Sequence, residues 1–159
     1  MKALIIVESL FHGNTRKIAD AMASVLEAKV VKPSEASPED VSKYDLVGFG
    51  SGINGFRHYK SMFDLVERLP KQAGRKAFVF STCGGGKTSY NNALKGKLEE
   101  KGFEIAGSFS CRAFDNMPYL GFIGKIFFPN GINVGKPDEN DLRDARKFAE
   151  GFKDIRKKR

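Results

Sequence analysis

Three short segments of this 159-residue chain combine hydroxyl, amide and glycine residues in patterns suited to holding a ligand. Residues 9–15 read Ser9-Leu10-Phe11-His12-Gly13-Asn14-Thr15, with Arg16 and Lys17 directly after. Hydroxyls, an amide, a glycine and the free N–H groups of a helix start are what a phosphate monoester needs. The same residues also suit an ordinary loop in which Asn14 or Thr15 caps a helix. Residues 48–56 carry four glycines, Gly48, Gly50, Gly52 and Gly55, around Ser51 and Ile53. Residues 81–86, Ser81-Thr82-Cys83-Gly84-Gly85-Gly86, are nearly as bare. Glycine lets a backbone approach a flat ligand or adopt positive φ. One glycine loop is routine in turns; three such segments together describe a phosphate cradle beside two thin walls, a slot for a planar ring.

Other chemistries fit less well. The third segment continues as Lys87-Thr88 and mimics a nucleotide-binding P-loop, but Ser81 stands where that motif needs its first glycine. No later apolar strand ends in an Asp placed to hold Mg²⁺. A cysteine phosphatase loop needs an Arg six positions after Cys83, where Ser89 stands, so Cys83 reads as a small packing residue. Cys83, Cys111, His12 and His58 lack the spacing of a zinc set, and no metal is expected. His12 reads as a phosphate contact, a proton relay or an exposed loop residue.

The three segments work together only if the fold brings them to one edge. The apolar run from Ala3 to Val7, with β-branched residues at its end, suits a strand buried on both faces. Ile18, Ala21, Met22, Val25 and Leu26 then recur at helical spacing. A weak extended piece spans residues 29–32, and Ser37-Pro38-Glu39-Asp40 reads as a helix start. Strands are expected over residues 44–49, 76–80 and 103–111. Helical stripes lie between them at Tyr59, Met62, Phe63 and Val66, and at Tyr90, Ala93, Leu94 and Leu98. A last helix begins near Asp138. Five strands alternating with helices imply an α/β fold with a parallel sheet covered on both faces. Ligands of such sheets sit outside the C-terminal strand ends, where all three segments fall.

Composition agrees with one domain, residues 1–155, followed by a basic tail, residues 156–159. Lys plus Arg is 27 and Asp plus Glu is 19, a formal charge of +8, of which four charges belong to Arg156, Lys157, Lys158 and Arg159. Half the excess therefore sits on a short end, which argues against nucleic acid. No apolar run approaches the roughly 18 residues of a membrane span, and the N-terminal one is too short for a signal peptide. A free-thiol cytoplasmic protein with no membrane partner, a monomer or weak dimer, is expected.

The order of strand, Ser-x-x-x-Gly-Asn-Thr, helix, then two glycine-rich strand exits resembles the flavodoxin family, closest to its short-chain members with His-Gly-Asn-Thr in the first loop. The resemblance spans essentially the whole chain. It implies a doubly wound five-stranded parallel sheet in the order 2-1-3-4-5 with FMN at its edge. Ser9, His12, Gly13, Asn14 and Thr15, with Phe11 in the same loop, would bind the FMN phosphate end. Ser51, Gly52 and Ile53 would line one side of the ring, and Thr82, Cys83, Gly84, Gly85 and Gly86 the other. The implied role is electron transfer to a redox partner protein, with an FMN-dependent NAD(P)H:quinone oxidoreductase as the alternative. Three features depart from the pattern. The body is basic where electron-carrying flavodoxins are usually acidic, which points to an acidic partner. No Trp or Tyr stands in the two ring-flanking loops; Phe56 or Tyr59 is the substitute. Residues 117–129 are unusually apolar for a loop, fit for a lid, a partner surface, or packing on the protein's own body.

Overall fold

The apolar run at the N-terminus forms β1 (Ala3–Glu8), and its alternate residues feed two cores. Leu4 and Ile6 point to one face of the sheet, Ile5 and Val7 to the other, and all four are buried. Around β1 lie β2 (Lys29–Val31), β3 (Leu46–Asn54), β5 (Lys76–Cys83) and β6 (Glu104–Arg112), parallel throughout, in the order β2-β1-β3-β5-β6. This computed structural model describes residues 1–153; the basic tail noted above lies outside them.

The expected order holds along this path, with one addition. A two-residue strand, β4 (Arg57–His58), folds back antiparallel on the end of β3, with Ile53 opposite His58 and Asn54 opposite Arg57. The connecting residues Gly55 and Phe56 have φ of 57° and 66°. Positive φ at both positions of a two-residue loop is the signature of the tight turn whose twist matches paired strands. The sheet therefore has six strands.

α1 (Asn14–Leu26) and α6 (Glu139–Glu150) cover one face, where Ile18, Met22, Ala145 and Ala149 meet Ile5, Phe78 and Phe80. α3 (Lys60–Arg68) and α4 (Asn92–Glu100) cover the other, where Met62, Leu65, Leu94 and Leu98 meet Ile6, Phe49 and Val79. The short α2 (Pro38–Val41) adds Val41 to that second core. α6 starts as expected at Asp138, whose carboxylate accepts from the N–H groups of Asn140 and Asp141 while Asp141 reaches back to the Asp138 N–H. That reciprocal pair satisfies donors a helix start leaves open.

β3 and β5 run further than their apolar cores suggest, to Asn54 and Cys83, so the glycine-rich exits begin as paired strand. Two of the four glycines expected to thin a ligand slot serve the core instead. A Cβ on Gly48 or Gly50 would fall inside the rings of Phe78 or Phe80 on the neighbouring strand. Beyond β6 the chain forms a one-turn helix, Pro118–Leu120, then α5 (Gly121–Phe127).

Candidate functional site

At the C-terminal edge of the sheet the chain leaves β1 and bends at His12 and Gly13, both left-handed with φ of 54° and 67°. A bend of this kind leading into a helix start gathers backbone N–H groups into an anion-binding concavity. Ser9 Oγ accepts from the Arg16 N–H at 3.2 Å, pinning the loop to the first turn of α1. Asn14 and Thr15 are buried. Asn14 Nδ2 donates to the Phe114 carbonyl at 2.9 Å, and the Thr15 and Thr82 hydroxyls lie 2.8 Å apart. One hydroxyl proton joins that pair, which leaves the other free to point at a ligand oxygen. The His12 ring meets Phe114 edge-on, with centroids 4.8 Å apart.

These contacts close one end of a cleft of about 270 Å³, partly open to solvent. Of the residues singled out above, Phe11, His12, Asn14, Thr15, Gly52, Ile53, Thr82, Cys83 and Gly84 line it together. Ser9 and Gly13 shape the first loop from behind. Ser51 is fully buried beneath the cleft. Gly85 and Gly86 lie beyond its wall; Gly86 has φ of 62° and its Cβ would press on Arg112. Leu10, Asn54 and residues 113–116 also line the cleft and were not among the residues assigned to it, as do Tyr59, one of the two candidate ring partners, and Pro118 and Tyr119 of the candidate lid. Those after β6 sit at a fourth strand exit, so the rule that found the other three exits would have found them. Between Phe56 and Tyr59, Tyr59 stands at the cleft, its hydroxyl occupying the space a Gly52 side chain would need. Phe56 is exposed and tilted against Tyr90. Burial, then the carboxylates of Asp115 and Glu8, push the Tyr59 phenol up, so it stays neutral and can donate.

A buried polar chain supports the ring-side wall. Asn91 Nδ2 donates to the Phe109 carbonyl and to Ser108 Oγ, which turns Asn91 Oδ1 toward His58 Nε2 at 2.9 Å. The network assigns His58 the Nε2–H tautomer, leaving Nδ1 to accept from Ser51 Oγ at 2.8 Å. Ser51 Oγ in turn accepts from the Tyr59 N–H at 3.1 Å and lies 2.7 Å from the Gly52 carbonyl. Burial holds the His58 imidazole down at about 4, with the Asn91 bond opposing in part. Sequence reasoning used His58 only to exclude zinc.

Of the two thiols, Cys83 faces the cleft and accepts from the Gly86 N–H. Cys111 is buried and pushed up to about 12, chiefly by burial and then by Asp141. Among the described residues no cluster of His, Cys, Asp and Glu could hold a metal ion. The loops at this edge, residues 9–13, 55–59, 84–91 and 112–137, carry Arg57, Lys87, Arg112, Lys125 and Lys136 with Asp115; Lys136 is paired with Asp138 and Asp141 at 2.9 and 3.0 Å.

The chain has relatives in sequence and in fold. A flavodoxin domain family matches residues 4–113. An uncharacterized protein of Methanocaldococcus jannaschii is 40% identical over 154 residues, 96% of this chain and 98% of its own. Among solved structures, a flavodoxin from the domain Archaea superposes with TM-score 0.70 at 17% identity, covering 99% of both chains. An oxidised Bacillus cereus flavodoxin gives TM-score 0.66 at 18% identity over 95% of this chain and 97% of that one. At such identities the structural matches speak for the fold.

Proposed function

The chain belongs to the flavodoxin family, and on that premise we propose that it binds FMN in this cleft and works as an electron-transfer protein. The observation that carries the reading is the convergence of three distant segments on one cleft, tied across by the 2.8 Å contact between the Thr15 and Thr82 hydroxyls. The left-handed bend at His12 and Gly13, the start of α1 and the two threonine hydroxyls fit the phosphate. Gly52, Ile53 and Tyr59 on one side, with Cys83 and Gly84 on the other, fit the ring. Bound there, FMN supplies one- and two-electron redox chemistry.

The chain's own residues orient and shield. Tyr59 covers Gly52, and the Ser51–His58–Asn91 chain holds the peptide between them from below. Of the two glycine peptides available to reorient against a ring, Gly52 lines the cleft and Gly55 does not. Tyr59 keeps its proton and offers it at the cleft wall. The excess of cations at this edge suits an acidic redox partner.

If the phosphate is held as argued, FMN binds at least roughly tenfold more tightly than riboflavin, the worth of one charge-assisted hydrogen bond or more. Equal affinities measured by flavin fluorescence would refute the phosphate assignment. A second reading, an NAD(P)H-dependent flavin oxidoreductase, is favoured by Pro118 and Tyr119, which wall the cleft as an acceptor pocket would need. Steady oxidation of NADH or NADPH by the FMN-loaded protein supports that reading; its absence supports the carrier.

A further inference from the structure

Among the described residues, α5 carries four strongly exposed apolar side chains. Phe122, Ile123, Ile126 and Phe127 recur at i, i+1, i+4 and i+5, a single stripe, and are 78%, 62%, 56% and 71% exposed. The buried residue of this helix is Gly124, where a Cβ would crowd Leu120 and the Met117 carbonyl. The helix thus leans by its glycine on the one-turn helix before it and turns its apolar stripe outward. Packing on the protein's own body, one of the options for this segment, is not what the stripe does. Lys125 is the only charged residue between Asn116 and Gly135.

We propose that this stripe is a docking surface for an anionic lipid headgroup layer, with α5 lying in the interface and the basic loops at the cleft edge facing the headgroups. The shape favours this occupant over a protein, and the charge agrees with an anionic one. A protruding apolar tip of seven residues needs a matching groove in a protein, whereas a bilayer takes it without one. Interfacial helices set Phe and Leu-like residues about 5–10 Å into the headgroup boundary, with Lys and Arg above. Stable surface binding takes two signals, an apolar wedge and a basic patch. Here the wedge is α5, which carries Lys125 itself, and Arg57, Lys87 and Arg112 stand in the other loops at the same edge of the sheet. An acid-free stretch of twenty residues around the wedge leaves nothing to repel a negative surface. Because the same segment contributes Asn116, Pro118 and Tyr119 to the cleft, docking sets the cleft mouth beside the headgroups. Lipid binding does not depend on flavin binding.

Flotation of the full chain with vesicles tests this. Binding is expected to vesicles of phosphatidylglycerol in phosphatidylcholine, and roughly tenfold or more weaker binding to phosphatidylcholine alone. The fourfold variant Phe122→Ser, Ile123→Ser, Ile126→Ser, Phe127→Ser alters only exposed side chains and is expected to lose flotation while keeping its circular dichroism. The chain has no Trp, so F122W supplies a single reporter. Its emission should shift to the blue with anionic vesicles and be quenched by brominated acyl chains. Four results would overturn the proposal: no flotation of the wild type, equal flotation of the fourfold variant, loss of flotation on removing residues 156–159 alone, or an F122W emission unmoved by vesicles. Vesicle-free protein found as a dimer that the fourfold variant dissolves, or held through this face by an acidic protein, would also overturn it.

Discussion

At the scale of single residues, the fold alters the chemistry of His58 in a way that pH can read. It is buried, neutral and read by Ser51 on one side and Asn91 on the other. Burial lowers its folded value to about 4 from 6.5. The neutral form is the one the fold accepts. The stabilisation is therefore fully present above about pH 6.5 and is lost as pH falls toward 4, when the unfolded chain takes up the proton first. A shift of that size corresponds to about 3 kcal/mol. Urea unfolding between pH 7 and pH 4 should show this loss in the wild type, and H58Q should show a flatter dependence. Equal slopes in the two proteins would show that His58 does not titrate as its surroundings dictate. The Asn91 bond sets the tautomer as well, so the ring should report as Nε2-protonated by nitrogen NMR.

At the scale of elements, the glycines of β3 separate into two jobs. Gly48 and Gly50 make room for Phe78 and Phe80, while Gly52 makes room for Tyr59 at the cleft. Gly50→Ala should destabilise the protein by about 1–3 kcal/mol, since an added methyl in a packed core forces side chains off their rotamers. Gly85→Ala meets only ordinary contact with Tyr90 and should be nearly silent. Equal denaturation midpoints for the two variants would contradict this division. The parallel strands and the helices that cover them were legible, because runs such as residues 3–7 and stripes such as Ile18, Met22 and Leu26 announce their burial through period alone; α5, read as loop, was not, since its apolar stripe faces outward. The ring pockets beneath Gly48 and Gly50 were not, because a glycine in sequence does not say which neighbour fills its space. β4 was hidden for a related reason: two residues and a tight turn carry no periodicity. The wall from Ala113 to Asn116 follows a strand exit with little glycine, so a search for bare loops passed over it, whereas Pro118 and Tyr119 belong to the apolar segment read as a candidate lid.

At the scale of the whole molecule, the fold brings loops more than sixty residues apart to one edge and leaves that edge basic and, at α5, apolar. The parallel sheet makes this unavoidable. Right-handed crossovers return the five strands of the main path in one direction, so the ends of β1, β3, β5 and β6 share a side. Thr15 can then meet Thr82, and Asn14 can reach Phe114. Charge follows the same geography: Arg57, Lys87, Arg112 and Lys125 stand in the edge loops with Asp115, while Lys136 is paired with Asp138 and Asp141. The most direct test of the central claim is titration of FMN into the flavin-free protein, followed by visible absorbance. One equivalent should bind, with the flavin bands displaced from those of free FMN by enclosure between the Gly52–Tyr59 and Cys83–Gly84 walls. A flavin spectrum unchanged at every ratio of FMN to protein would contradict the account.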